Sequence, residues 1–324
     1  RYHRFPQDSD KKMEKLDGSV GVLANNSSGG MLAFWGSIQS LKIRVKLSYM
    51  FNMGHMAYTG QAGFDLYMGE NFDSLKFYRT ANFNFIYNHY EFTFFDRNEA
   101  LNQLFVLNFP LYASVKEILV GVNEDAEVKK VENLFPNEGK IVFYGTSITQ
   151  GGCASRPGMS YTQIISRHLG YECLNFGFSG NGKGHIEVAQ ILSTIENVKM
   201  FILDYEANVE FTRLKSTLKP FVAELRKKYP TVPIFIISKI IFSSKTHFSK
   251  DAEEECMIRS YQEEFVKTCS IFDKNIYYID GRTLLGDDFN EKTVDGVHPN
   301  DYGFASIATV SYTHLRAHET RSNL

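Results

Sequence analysis

The sequence predicts two folds in tandem: an N-terminal β-sandwich or jelly roll, followed by an α/β domain whose parallel sheet is covered by helices on both faces. Three observations carry this. The first 130 or so residues alternate apolar and polar positions and show little helical periodicity. Beyond Asn137-Glu138-Gly139, short apolar runs alternate with amphipathic helical stretches. A length of 324 residues suits about two domains at roughly 150 residues each.

In the N-terminal part, Leu41, Ile43, Val45 and Leu47 alternate with Lys42, Arg44 and Lys46, the period of a half-buried strand. Further strand-like runs cover residues 64–68, 83–87, 90–95 and 104–109, separated by turns rich in Asn, Asp, Gly and Glu. Many short strands suggest a sandwich or jelly roll. The core is expected to rest on Phe and Tyr, of which the chain has 27 and 18. In the C-terminal part, strands are expected at 141–144, 173–176, 200–203, 232–238 and 276–279. Helices are expected at 160–169, 186–195, 211–228 and 252–268. No internal repeat or low-complexity tract interrupts the pattern.

Composition narrows the classes. Hydrophobic residues make up 43% and charged residues 22%, enough to bury a core and too apolar for wholesale disorder. Lys plus Arg number 35 against 37 Asp plus Glu, a net charge of -2. No charge excess favours nucleic acid or an acidic membrane surface. The longest apolar run, 233–242, is broken by Lys239 and falls short of the roughly 18 residues of a spanning helix. Cys153, Cys173, Cys256 and Cys269 form no CxxC pair, which disfavours a zinc ribbon or redox motif. Their disulfide state, the compartment and the oligomeric state stay open.

Both ends need separate reading. The chain starts with Arg1 rather than Met, so the natural N-terminus is read as missing and a removed signal peptide remains open. Residues 310–324, beginning Val310-Ser311-Tyr312-Thr313-His314-Leu315-Arg316-Ala317-His318, resemble a translated transposon-end sequencing adapter. Natural sequence is then expected to stop near Ala308, with the final helix cut short. His314 and His318 are not read as ligands despite their i, i+4 spacing. The expected division is 1–136, 137–309 and a non-native tail at 310–324.

Four loops carry chemistry, each after an expected strand, where open parallel sheets place their sites. Tyr144-Gly145-Thr146-Ser147 offers a serine nucleophile in a Gly-rich turn, without the G-x-x-x-x-G-K-[ST] or G-x-S-x-G patterns. Asp295-Gly296-Val297-His298 places a carboxylate and an imidazole three apart. The imidazole can take a serine proton and the carboxylate can orient the ring. The glycine-rich run from Asn175 to Gly184 exposes backbone N–H groups that can hold an oxyanion. Asn208, after the third strand, is a further amide donor or a helix cap.

The order Ser, Gly, Asn, then Asp-x-x-His resembles the block pattern of the SGNH (GDSL-like) hydrolases over about Lys140 to Ala308. Gly63-Phe64-Asp65-Leu66-Tyr67 resembles the G-x-D-L-Y signature of the β domain that precedes some SGNH-type esterases. The resemblance implies a three-layer α/β/α, flavodoxin-like hydrolase domain. It implies Ser147 as nucleophile, His298 as base and then acid, and Asp295 as the orienting carboxylate. The Ser147 N–H, the Gly180 N–H and the Asn208 side chain would form the oxyanion hole. No metal or cofactor is implied. Two departures stand: G-T-S replaces G-D-S at Thr146, and the G-x-N-D block is reduced to Glu206-Ala207-Asn208.

Arg156, His185 and His55 are further candidates for substrate contact, each with a structural alternative. Cys153 reads as a small buried hydrophobe. Asp65 is expected to make a structural contact. No greasy lid is visible, so short acyl esters fit better than long-chain lipid. The β domain suggests an O-acetyl carbohydrate. The substrate would then be a small molecule or an oligosaccharide ester. The alternatives are a non-catalytic carbohydrate-binding protein on the same fold, or an acyl hydrolase acting on thioesters or lipids.

Overall fold

The structure is a computed structural model and describes residues 2–6 and 18–322. Its N-terminal part is antiparallel β. Strands β1 (Met31–Met50), β2 (Asp65–Gly69), β3 (Lys76–Thr80), β4 (His89–Asn108) and β5 (Ala113–Val122) join in the order β3-β2-β4-β1-β5, and β6 (Glu127–Lys130) pairs with β1. Along β1, Leu41, Ile43, Val45 and Leu47 are buried while Lys42, Arg44 and Lys46 face solvent, as the period of two requires. The register of β1 against β4 shifts between Ile38 and Ser40 and between Leu41 and Lys42. Such bulges bend and twist a strand. One ribbon can therefore pair with β6 along its first half and β5 along its second. Phe34, Phe64, Phe94, Phe105 and Leu107 fill the core beneath it.

Two expectations are corrected here. Residues 83–87 are a loop, not a strand. Asn84 Oδ1 accepts the Ile86 N–H at 3.1 Å and turns the chain. The aromatics stack instead of joining a ladder, Phe83 on Tyr90 at 4.3 Å and Phe85 on Tyr58 at 3.9 Å. Residues 90–95 and 104–109 are not separate strands, because β4 runs through both. The polar stretch between them is accommodated as a bulge, with Ser40 opposite Asp96 and Ile38 opposite Leu101.

The C-terminal part holds five parallel strands: β7 (Lys140–Gly145), β8 (Glu172–Gly177), β9 (Val198–Asp204), β10 (Ile234–Ile237) and β11 (Ile276–Ile279). Their order, β11-β10-β9-β7-β8, is the flavodoxin-like one, with its crevice at the carboxyl ends beside β7. Successive strand residues feed opposite faces. Val142, Phe201 and Ile234 meet Val188, Leu218 and Phe221 on one side. Ile141, Phe143 and Phe235 meet Tyr161, Ile165 and Phe304 on the other.

In chain order the helices are α1 (Gly18–Leu23), α2 (Tyr58–Ala62), α3 (Ser147–Gln150), α4 (Tyr161–Leu169), α5 (Ile186–Leu192), α6 (Phe211–Lys228), α7 (Ser249–Cys269) and α8 (Asp301–Ser322). Helix α8 continues through the stretch that resembles an adapter, and Leu315 is buried on the second face. Among the described residues no helix is long and apolar enough to cross a membrane. All four cysteines are free thiols.

The two parts interlock. Met56, Leu111 and Tyr112 of the β part belong to the second face's core cluster. Ser28 Oγ donates to Gln150 O at 2.7 Å, and Gln150 Nε2 donates to Leu111 O at 3.1 Å. Arg4 inserts its guanidinium among the carbonyls of Leu23, Asn175 and Gly177 at 2.7, 3.1 and 2.6 Å.

Candidate active site

The Ser147 turn is shaped by its neighbours. Strand β7 ends at Gly145, where an added Cβ would meet Thr149 Oγ1 at 1.9 Å. Thr146 is extended and caps α3, its Oγ1 accepting the Ile148 N–H at 3.3 Å. A capping Thr therefore supports the turn where the family motif has Asp. Gly151, with φ 103, ends the helix after one turn. Ser147 is left at the first helical position and only 8% exposed.

Below the turn, Asp204 Oδ2 accepts Thr149 Oγ1 at 3.0 Å and Tyr161 OH at 2.9 Å. Burial pushes the Asp204 carboxyl up to about 7; those two hydrogen bonds oppose the rise and Glu206 adds to it.

Across from Ser147 lies the loop that leads into α8. Ser147 Oγ and His298 Nε2 are 2.9 Å apart, and His298 Nδ1 and Asp295 Oδ2 are 2.8 Å apart. Asp295 Oδ1 accepts the backbone N–H groups of Val297 and His298 at 3.0 and 2.7 Å. Burial alone would raise the Asp295 carboxyl. The hydrogen bonds and charge of His298, with the Val297 N–H, outweigh it and hold the carboxyl below its ordinary range. Gly296 turns the chain with φ 83. The loop is pinned by Val294 N–H to His298 O at 2.8 Å and by Asp301, which accepts Ser155 N–H at 2.8 Å and Ser155 Oγ at 2.5 Å.

The third component is the β8–α5 loop. Gly182 presses on the end of β7, where an added Cβ would meet Gly145 O at 2.1 Å. Gly180 has φ 68 and open space around a would-be Cβ. Asn208 Oδ1 accepts the Gly182 N–H at 3.3 Å. Among the described residues, the Ser147 N–H, the Gly180 N–H and Asn208 Nδ2 have no intramolecular acceptor. Together these groups can move a proton from serine to imidazole and offer N–H donors to a developing oxyanion.

The remaining candidates fall differently. Arg156 is engaged within the protein: its Nη1 donates to Asp65 Oδ2 at 2.9 Å and Tyr67 OH at 2.7 Å, and its guanidinium lies 3.7 Å from the Phe77 ring centroid. A fully buried Asp65 needs this cation, along with the Gly158 N–H at 2.8 Å and Asn108 Nδ2 at 2.7 Å. The G-x-D-L-Y residues thus bind the two halves of the protein together. His185 is the N-terminal cap residue of α5. His55 is brought to the site, its ring 5.4 Å from that of His298. Cys153 is buried, and desolvation with the Asp295 charge pushes its thiol up to about 12, which leaves it protonated at neutral pH.

Sequence reading missed Tyr112, whose OH approaches Ser147 O at 3.4 Å, and Gly152, where an added Cβ would meet His298 Cδ2 at 3.4 Å. Tyr112 carries no local signal, and Gly152 follows Ser147 by five residues with no side chain to mark a role.

Residues 138–316 match the model of the GDSL-like Lipase/Acylhydrolase family, and residues 1–128 match that of the N-terminus of Esterase_SGNH_hydro-type. The chain belongs to the GDSL-like lipase/acylhydrolase family. It is a carboxylic ester hydrolase of the SGNH type.

A Bacteroides ovatus protein described as a GDSL-like lipase is 32% identical, with a TM-score of 0.87 over 96% of this chain and 89% of its own. The salicylyl-acyltransferase SsfX3 of a tetracycline biosynthetic pathway is 18% identical, with a TM-score of 0.78 over 97% and 89%. A family two carbohydrate esterase from Clostridium thermocellum, solved with cellohexaose, is 13% identical, with a TM-score of 0.64 over 91% and 94%. The last two are alike in fold alone. No curated protein matches the chain.

Proposed function

We propose that the protein is a serine esterase that removes short acyl groups, above all O-acetyl groups, from a carbohydrate through an acyl-enzyme. The observation that carries this reading is the chain of contacts Ser147 Oγ to His298 Nε2 at 2.9 Å and His298 Nδ1 to Asp295 Oδ2 at 2.8 Å. Ser147 Oγ attacks the ester carbonyl while His298 Nε2 takes its proton. Asp295 holds the ring and stabilises its charged form. The Ser147 and Gly180 N–H groups and Asn208 Nδ2 receive the oxyanion. Collapse breaks the ester C–O bond, and His298 returns the proton to the leaving alcohol. Water, deprotonated by His298, then attacks the acyl-serine and releases the acid.

Tight packing beside the nucleophile supports a small acyl group: an added Cβ at Gly152 would meet Tyr112 OH at 3.0 Å. A sugar carrier is supported by the exposed Tyr58, stacked on Phe85 and three residues beyond His55. The likeness in fold to carbohydrate esterases agrees with it.

The test is acetate release from chromogenic acetyl esters and acetylated oligosaccharides, beside a long-chain ester and a Ser147→Ala variant. Preference for acetyl, abolished by the substitution, is expected. Undiminished turnover in Ser147→Ala contradicts the assignment. Glycan binding by folded protein without turnover points to the binding-protein alternative.

A further inference from the structure

We propose that His55, Cys153 and His298 form a binding site for a soft divalent cation of the zinc type, which blocks the esterase by occupying Nε2 of His298. The blocking rests on the role proposed for His298; the site itself does not.

The ligand atoms of the three residues lie within 4.8 Å of one another, and the two imidazoles are tilted by 37° at a centroid distance of 5.4 Å. Zinc binds imidazole nitrogen at about 2.0–2.1 Å and thiolate at about 2.3 Å, so a tetrahedral site needs ligand separations of about 3.3–3.8 Å. The residual adjustment is about 1 Å, and the exposed His55 ring can supply it. Two imidazoles and a thiolate favour zinc over magnesium or calcium, which prefer oxygen.

Two independent features favour ligation here. Cys153 has φ 74, a left-handed conformation otherwise found among described non-glycine residues only at Asn197. Glycine would relax that position, so a cysteine there marks a strained site, a recurrent property of functional ones. His298, in turn, is already arranged as a metal ligand. Asp295 holds its Nδ1, as in the carboxylate–histidine–zinc arrangement, and Nε2, which faces Ser147 Oγ at 2.9 Å, is the nitrogen a cation would take from it.

Coordination forms one Zn–S and two Zn–N bonds and releases the Cys153 proton to solvent, with no change of oxidation state. Ser147 Oγ then loses its proton acceptor.

The experiment titrates the full chain with zinc chloride by calorimetry, follows acetyl-ester hydrolysis in parallel, and records the cobalt(II) spectrum. One metal per chain, inhibition reversed by chelator, and a thiolate-to-cobalt charge-transfer band are expected. Cys153→Ala should keep basal turnover within about twofold, weaken metal inhibition at least tenfold and lose the band. Cys153→Gly, which suits the backbone, should do the same and guards against misfolding. Equal metal affinity in the parent and both variants, or no thiolate band in the parent, would overturn the site. Binding without inhibition would overturn the blocking role. A parent without turnover would sink the esterase reading, while the cobalt spectrum would still decide the site.

Discussion

The turn that carries Ser147 and the loop that carries His298 meet at a 2.9 Å contact, yet they are built in different ways. All four residues of α3 are buried, set between β7 and β8 and tied down by Thr146, Thr149 and Tyr161. The His298 loop has one apolar anchor, Val297, half-buried against the second face's core. Its shape rests on the Thr293–Pro299 bridge, the pins from Val294 and Ser155, and the Asp295 cap, and the Asp295 side chain is 32% exposed. Core packing places the nucleophile, and polar contacts place the base. Lesions in the supporting core should therefore change stability, and lesions at the loop should change rate.

The largest effect tests the loop side of this contrast. His298→Ala should lower kcat on an acetyl ester by about 10⁴–10⁶, with thermal unfolding almost unmoved. A large fall in Tm would mean that the loop also supports the fold.

Next comes the buried pair that joins the two halves. Asp65→Asn leaves Arg156 without its carboxylate partner and should cost about 3–5 kcal/mol in denaturant unfolding. The folded fraction should keep near-parental kcat. Equal stability would show that Asp65 is not the joint its burial and three donors suggest, and a fall in kcat alone would move Arg156 back to the substrate.

Asn208→Ala removes one proposed oxyanion donor and should cost about 10²–10³ in kcat with little change in KM. Near-parental turnover would remove Asn208 from the site.

The smallest effect concerns Asp204. Its folded value is raised to about 7, above the ordinary 3.8. Between those values the folded state holds more protons than the unfolded one, so stability is fully present below about pH 4 and declines as pH rises towards 7. Asp204→Asn should flatten that decline by on the order of 1–3 kcal/mol. An unchanged slope in urea unfolding between pH 4 and 7 would contradict it.

Much of this was legible locally. The alternation at Leu41–Leu47, the five parallel strands and the loops after them are set by residues close in sequence. So are the geometries of Asp295 and His298, three residues apart on one turn. The rest depends on partners distant in sequence. Period-two patterning cannot tell that 90–95 and 104–109 share one strand, because the bulge opposite β1 decides it. Residues 83–87 have strand-like aromatics, but Asn84 and two ring stacks hold them as a loop. Arg156 lies near Ser147 in the sequence, yet a buried carboxylate 91 residues away claims its guanidinium. The approach of His55 to His298 is likewise a product of the domain interface.

The most direct test of the central claim is covalent labelling by a fluorophosphonate ester, read by peptide mass spectrometry. A single adduct on Ser147, formed slowly or not at all in His298→Ala, is the predicted result. An adduct on another residue, Cys153 included, or unaltered labelling without His298, would contradict the account.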